Sequence, residues 1–215
     1  LVFWNTKIDC QNVGQHLLKA GFDACALHGD MEQRDRDEAM VRFQNGSVRV
    51  LVATDVAARG LDVSDLPLVV SYELAHQADV HVHRVGRTGR AGKDGRALAL
   101  VAPAEIGRVK AAEEQMGLTA RWQRLDLSSI KLAPLKADWK TLVIDAGRKD
   151  KLRPGDILGA LTGKQRIAAA QVGKIALFDT RSYVALQRSV ADKALNLLRQ
   201  DKIKGRSFRI RLLDN

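Results

Sequence analysis

The chain has few cysteines, no long apolar run and no phosphate-loop motif. Cys10 and Cys25 form no Cys-x-x-Cys pair, so the sequence indicates neither a disulfide framework nor a metal site, and a reducing compartment, the cytoplasm, is expected. No stretch approaches the roughly 20 apolar residues of a membrane-spanning helix, and we expect no membrane partner. Since no GxxxxGK[ST] motif occurs, the chain alone is not expected to hydrolyse a nucleoside triphosphate.

The start of the chain suggests that it is part of something larger. It begins without methionine and inside an apolar stretch, Leu1–Trp4. We therefore expect a piece of a longer protein that begins within a strand.

Charge is distributed unevenly along the chain. Residues 1–138 contain 18 Lys and Arg against 18 Asp and Glu, whereas residues 139–215 contain 17 against 7, which accounts for the whole net charge of +10. We predict a first domain over 1–125, a linker over 126–138 and a second domain over 139–215. The second domain is expected to bind a polyanion.

Strands alternate with helices through the first domain. Buried strands are predicted at 1–4, 24–27, 48–53, 68–72 and 97–101, and helices at 10–20, 31–44, 79–86 and from Pro103 to about 116. Asp9 is the expected N-cap of the first helix. This alternation predicts a parallel, doubly wound α/β sheet, whose ligands gather beyond the carboxyl ends of the strands.

The second domain shows a different order of elements. Strands are predicted at 141–145, 172–178, 183–187 and 208–213, and helices at 154–161 and 190–199. The resulting βαββαβ order predicts a small α+β domain of the RNA-recognition-motif type.

Two stretches of the first domain carry residues suited to phosphate chemistry. In His83–Gly92, Arg84, Arg87 and Arg90 recur at a spacing of three and alternate with glycines. Guanidinium groups form rigid charged forks that match phosphate oxygens, and several of them can stabilise a phosphoryl group during transfer. The second stretch, Ala53–Asp62, precedes the first and contains Arg59. Both stretches fall after strands or between them, so we expect both at the carboxyl edge of the sheet.

These stretches resemble motifs VI and V of the DEAD-box RNA helicases. Leu1–Lys7 is similar to motif IV of that family, and Gln33 with Arg36 is similar to its QxxR element. The four motifs occur in the family's order within the first 120 or so residues. The resemblance implies a RecA-like fold for the parallel sheet.

The resemblance also implies roles for individual residues. ATP would bind between this domain and a first RecA-like domain, absent from this chain, that holds Mg²⁺. Arg87, as arginine finger, and Arg90 would reach the γ-phosphate, and Asp62 would bind the ribose hydroxyls, although Asp62 also fits a turn or N-cap carboxylate. His83 would couple the two domains or be a structural histidine. RNA contacts would fall on Gly29, Arg36 and Thr54.

The second domain resembles the C-terminal domain of DbpA-type helicases, which recognise a hairpin of large-subunit ribosomal RNA. The resemblance lies in Gly147–Leu161 and in the tail from Lys202 to Arg211. Because the third strand offers a single aromatic residue, recognition is expected to depend mainly on a basic loop. The RNA-binding candidates are Arg148, Lys149, Lys151, Arg153, Lys174 and Tyr183, the last by stacking on a base.

These observations favour half of an ATP-dependent RNA helicase that unwinds short duplexes near a bound ribosomal RNA hairpin during ribosome assembly. The alternative is a non-enzymatic RNA-binding or dimerisation module, and homodimer formation is left open. A Rossmann-type metabolic enzyme is the weakest candidate, since no GxGxxG follows a strand. The chain alone is predicted to be inactive in ATP hydrolysis.

Overall fold

A computed structural model describes residues 1–59, 63, 65–89, 94–126, 128, 133–163 and 166–213. The chain divides into two compact units. The first comprises Leu1–Arg36 and Val50–Leu135, and the second comprises Asp37–Arg49 and Lys136–Asn215. Each unit is built around its own sheet.

The first unit contains a five-stranded sheet in which every pair of neighbours is parallel, in the order β2-β3-β1-β4-β5. The predicted doubly wound α/β fold is thereby confirmed. The strands are β1 (Val2–Phe3), β2 (Ala24–Leu27), β3 (Val50–Ala53), β4 (Leu68–Ser71) and β5 (Arg96–Ala99). The helices of this unit are α1 (Lys7–Lys19), α3 (Asp55–Ala58), α4 (Ala78–Val85) and α5 (Ile106–Met116). Helix α2 (Gln33–Gln44) starts in this unit, and its residues from Asp37 onward belong to the second unit.

Helix α1 begins earlier than the sequence predicted. Thr6 is its N-cap, and the Thr6 hydroxyl accepts the backbone N–H of Asp9 at 3.2 Å. The prediction that Asp9 caps this helix was wrong, because Thr6 lies three residues ahead of the amide that needs a partner. Gly14 brings the helix close to β2, since a Cβ on Gly14 would lie 3.0 Å from the Cβ of Ala26.

The connection after β3 contains a short helix where the sequence indicated only a loop. Thr54 has extended backbone angles and stands at the N-cap position of α3. The turn of helix therefore starts directly at the carboxyl end of a buried strand, which fixes Thr54 and Asp55 at that end of the sheet.

The second unit contains four strands in the order β7-β8-β6-β9, paired antiparallel. Its elements are β6 (Trp139–Ile144), α6 (Pro154–Thr162), β7 (Val172–Leu177), β8 (Ser182–Gln187), α7 (Ala191–Gln200) and β9 (Ile210–Leu212), which confirms the predicted βαββαβ order. One face of the sheet packs on both helices, and Leu142, Ile157 and Leu198 are buried there. Full burial of each such side chain stabilises the fold by about 1.5–3 kcal/mol.

The other face of this sheet packs on the segment 37–49. The side chains of Val41, Val143, Tyr183 and Leu213 form a second buried cluster. The Ser47 and Thr141 hydroxyls lie 2.6 Å apart in a buried hydrogen bond. This face is therefore occupied by the chain itself. Among the described residues, no helix combines the length and the apolar character needed to cross a membrane.

Candidate functional site

Arg84 joins the carboxyl ends of three strands in the first unit. Its Nε and Nη2 donate to the two carboxylate oxygens of Asp55, after β3, both at 2.7 Å. Its Nη1 donates to the carbonyl of Glu73, after β4, at 2.6 Å, and its Nη2 to Oδ1 of Asn5, after β1, at 2.7 Å. The guanidinium thus ties together the stretches that resemble motifs IV, V and VI.

Sequence reasoning did not single out this residue among the three arginines. Arg84 is 1% exposed, and its guanidinium carbon lies 5.1 Å from the centre of the Phe3 ring. A buried cation is tolerated because a bidentate carboxylate and two further acceptors satisfy it. The spacing of three could not tell which arginine turns inward, because the acceptors that satisfy Arg84 follow three different strands.

Arg87 lies at the opposite end of the sheet from these strand ends. Its carbonyl accepts the backbone N–H of Leu66 at 3.1 Å, and the hydroxyl of Thr88 donates to the Leu66 carbonyl. Leu66 precedes β4, so this backbone lies at the amino-terminal end of that strand. The expectation that both arginine-bearing motifs lie at the carboxyl edge is therefore corrected. It holds for the Arg84 guanidinium and for Asp55, and it fails for the backbone of Arg87.

The other residues of the predicted nucleotide site are only partly described. Arg87 is half-buried, and His83 is exposed on α4. Asp62 and Arg90 lie outside the described residues. The roles of all four stay predictions.

The predicted RNA contacts of the first unit lie beyond the carboxyl ends of β2 and β3. Gly29 is exposed, Thr54 is buried with its N–H bound to the Leu27 carbonyl, and Arg36 is half-buried at the start of α2. The Lys7 amine pairs with Asp30 at 2.5 Å and lies 3.9 Å from the position of a Cβ on Gly29. The structure thus places the predicted RNA contacts and the Arg87 backbone at different ends of the sheet.

Two titratable groups in this unit are shifted by burial. Burial and the nearby Arg84 guanidinium lower the pKa of His81, which favours the neutral imidazole. Burial raises the pKa of the Cys10 thiol, which donates to the carbonyl oxygen of Val52 at 3.2 Å. Cys10 therefore packs as a small apolar residue. The described residues include no group of three or more His, Cys, Asp or Glu side chains placed to hold a metal ion.

In the second unit, the predicted basic loop is held tightly in place. The backbone N–H groups of Arg148 and Lys149 bind the carbonyls of Phe178 and Asp179, both at 2.9 Å. A Cβ on Gly147 would lie only 2.1 Å from the Phe178 oxygen, so the close approach requires glycine. Lys151 adopts a left-handed conformation with φ of 59°.

A second basic turn, which the sequence prediction left out, meets this loop. The Arg206 guanidinium donates to the carbonyl and to Oδ1 of Asp150, both at 3.2 Å. The Lys204 amine donates to the carbonyl of Lys151 at 3.2 Å and lies 3.6 Å from Asp156. These contacts join residues about 50 positions apart, which sequence spacing could not reveal. We call the combined exposed surface the basic edge, formed by Arg148, Lys149, Lys151, Arg153, Lys204 and Arg206.

The remaining two predicted RNA contacts lie on the antiparallel sheet of the second unit. Lys174 is exposed, with its amine 3.4 Å from the Gln44 side-chain oxygen, and its RNA contact stays a prediction. Tyr183 is 2% exposed and its ring packs edge-on against Phe178 at 5.5 Å. Stacking on a base requires an exposed ring face, so the structure contradicts that role for Tyr183. The cause is the segment 37–49, which covers this face.

Replacing Tyr183 with alanine is expected to lower the free energy of unfolding of the second unit by about 3–5 kcal/mol, because it empties a packed site. Urea denaturation monitored by near-ultraviolet circular dichroism measures this loss. Tyr183→Phe keeps the ring and serves as the control. Unchanged stability of Tyr183→Ala together with weaker RNA binding would restore the stacking role.

Both units match known protein families. Residues 1–92 match the family described as helicase conserved C-terminal domain. Residues 141–212 match the family described as DbpA RNA binding domain. The first match includes strands β1 to β4 of the parallel sheet, and the second includes strands of the antiparallel sheet from β6 to β9.

Individual relatives agree with these family matches. The chain is 52% identical over 213 residues to the ATP-dependent RNA helicase DbpA of Escherichia coli, which covers 99% of this chain and 46% of that protein. It is 30% identical to the Bacillus subtilis protein of the same name, covering 98% of this chain and 48% of that protein. The chain spans about half the length of the curated relatives it matches.

Solved structures of similar proteins match more than half of this chain. The DEAD-box protein SrmB of Escherichia coli, solved with the regulator of ribonuclease activity A, is 34% identical with a TM-score of 0.55. That match covers 62% of this chain and 78% of the SrmB chain. A DEAD-box protein from Methanococcus jannaschii is 40% identical with a TM-score of 0.52, covering 55% of this chain and 32% of that one.

Proposed function

This chain belongs to the DEAD-box RNA helicases of the DbpA type, and on that basis we propose that it is the C-terminal half of an ATP-dependent helicase acting on ribosomal RNA. Its second unit would bind a hairpin of the large-subunit RNA. The helicase core would then separate a short duplex nearby during ribosome assembly, in the cytoplasm.

The observation that carries the RNA proposal is the basic edge. Six exposed cations from two loops are brought together by hydrogen bonds to the backbone and to Asp150, and by the ion pair of Lys204 with Asp156. Because both loops are held in place, little ordering is needed when RNA binds. Phosphate oxygens on a folded hairpin are the ligands that such a surface fits best.

The proposal for ATP rests on Arg87. This sequence contains no GxxxxGK[ST] phosphate loop, so another domain would have to supply it. ATP and Mg²⁺ would be held by a first RecA-like domain, with its phosphate loop, and Arg87 would approach the γ-phosphate from this unit. When bound, the nucleotide supplies the phosphoryl transfer that drives the helicase cycle. The contribution of this chain is a cation on a backbone that hydrogen bonds to Leu66 hold in place.

Removing two charges from the basic edge tests the RNA proposal. The double variant Lys204→Ala with Arg206→Ala is expected to weaken binding of the 215-residue chain to the ribosomal hairpin about 25- to 60-fold at 0.1 M salt. Each phosphate contact contributes a salt slope of roughly 0.7–0.9, which is about five- to eightfold between 1 M and 0.1 M salt. Fluorescence anisotropy over a series of salt concentrations measures the affinity and the slope together.

The matched control removes two exposed cations of the first unit, Lys19→Ala with Lys110→Ala. That variant keeps the same net charge as the test variant, so equal losses in the two would indicate general attraction instead of a defined surface. An unchanged affinity in the Lys204 and Arg206 variant would contradict the proposal.

A further inference from the structure

The segment 118–126, which follows α5, leaves a tryptophan exposed to solvent. Gly117 ends the helix in a left-handed conformation with φ of 62°, and the Leu118 N–H binds the Glu113 carbonyl. The Ala120 N–H donates to the Glu113 carboxylate at 2.7 Å. Glu113 thus anchors the start of the segment, and residues 121–126 continue from it without regular structure.

Trp122 is 62% exposed in this segment. Arg121 and Arg124 flank it and are also exposed. Within the described ranges, none of these three side chains has a hydrogen bond, an ion pair or an aromatic contact. Burying an indole ring away from water is strongly favourable. An exposed Trp between two cations therefore points to a ligand that covers the ring.

We propose that Trp122, Arg121 and Arg124 bind single-stranded RNA, with the indole ring stacked on a base and the guanidinium groups on the neighbouring phosphates. Proteins bind single-stranded nucleic acids without sequence preference by stacking aromatic side chains on the bases and placing cations against the phosphate backbone. Along an extended backbone Arg121 and Arg124 lie at most about 10 Å apart, so both reach the same short stretch of RNA. The inference rests on the proposed function, because it places a second RNA contact outside the basic edge.

The alternative to RNA is that this segment docks into an apolar groove of another protein. Leu118, Trp122 and Leu125 have the spacing of four and three that an amphipathic helix uses for docking. Two features favour RNA instead. The segment is not helical in the structure, and the two guanidinium groups beside the ring complement a polyanion, whereas groove docking does not require them.

Two RNA probes separate these alternatives with the 215-residue chain. One is the ribosomal hairpin with a mixed-sequence single-stranded extension of about ten nucleotides, and the other is the same hairpin with a blunt end. Trp122→Ala is expected to weaken binding of the extended probe about 5- to 150-fold, the range of one lost stacking contact, and to leave the blunt probe unchanged. Trp122→Phe, which retains a stacking face, is expected to stay within a few-fold of the unaltered chain.

The matched control is Leu118→Ala, which removes an equally exposed apolar side chain of the same segment that cannot stack. It is expected to bind both probes normally. Arg121→Ala with Arg124→Ala is expected to reduce the salt slope for the extended probe by about 1.4, since each single-strand phosphate contributes about 0.7.

Each other outcome overturns the inference. Normal binding of the extended probe by Trp122→Ala would do so while leaving the proposed function in place. An equal loss in Leu118→Ala would assign the segment to an apolar docking role. If the unaltered chain binds neither probe, both this inference and the proposed function fail.

Discussion

Replacing Arg87 with alanine, in a protein that joins this chain to a phosphate-loop domain, is expected to lower RNA-stimulated ATP hydrolysis by roughly 10³- to 10⁵-fold. A positioned guanidinium stabilises the charge that develops on the γ-phosphoryl oxygens in the transition state. Steady-state hydrolysis with saturating RNA measures the effect.

RNA affinity separates catalysis from general damage in this experiment. We expect the Arg87 variant to bind the ribosomal hairpin normally, because the basic edge lies in the other unit. The double variant with Arg90→Ala is expected to be no more active than Arg87→Ala. Unchanged hydrolysis in either variant would favour the non-enzymatic RNA-binding or dimerisation module. The 215-residue chain by itself is expected to hydrolyse ATP at a negligible rate.

Replacing Arg84 with alanine is expected to lower the free energy of unfolding of the first unit by about 3–5 kcal/mol. The change removes the cation from a buried pair and leaves the Asp55 carboxylate, the Asn5 amide oxygen and the Glu73 carbonyl without their donors. Removing one partner of a buried ion pair lowers the free energy of unfolding by more than the intact pair contributes, because the other partner is left without a counter-charge. Thermal and urea unfolding monitored by circular dichroism measure this loss.

Two further variants serve as controls for Arg84→Ala. Arg34→Ala removes an exposed arginine of the same unit and is expected to change stability by no more than about 0.5 kcal/mol. Arg84→Lys keeps the charge but cannot form the bidentate pair and the two other bonds together, so an intermediate loss is expected. A fully stable Arg84→Ala protein would contradict the role of Arg84 in joining the strand ends.

The sequence predicted the architecture because both units follow strong periodic patterns. Alternating strands and helices indicated the parallel sheet, and the βαββαβ order indicated the second unit. Helix and strand ends were less accurate. Thr6 caps α1 in place of Asp9, because the hydroxyl three residues ahead is better placed to accept the amide.

The sites were harder to predict because they depend on contacts between distant residues. The inward turn of Arg84 depends on acceptors that follow three different strands. Lys204 and Arg206 join the basic loop across more than 50 residues. Tyr183 is buried by a segment about 140 positions earlier, so its single aromatic ring could not be recognised as a core residue from its own surroundings.

The most direct test of where this protein binds RNA is a titration of the isotope-labelled 215-residue chain with the ribosomal hairpin, followed by backbone amide chemical shifts. We predict that the largest changes fall on residues 147–153 and 203–206, with the amides of β6 and β8 little affected. Changes concentrated on Val143, Tyr183 and their neighbours in β6 and β8, with the two loops unaffected, would contradict the account.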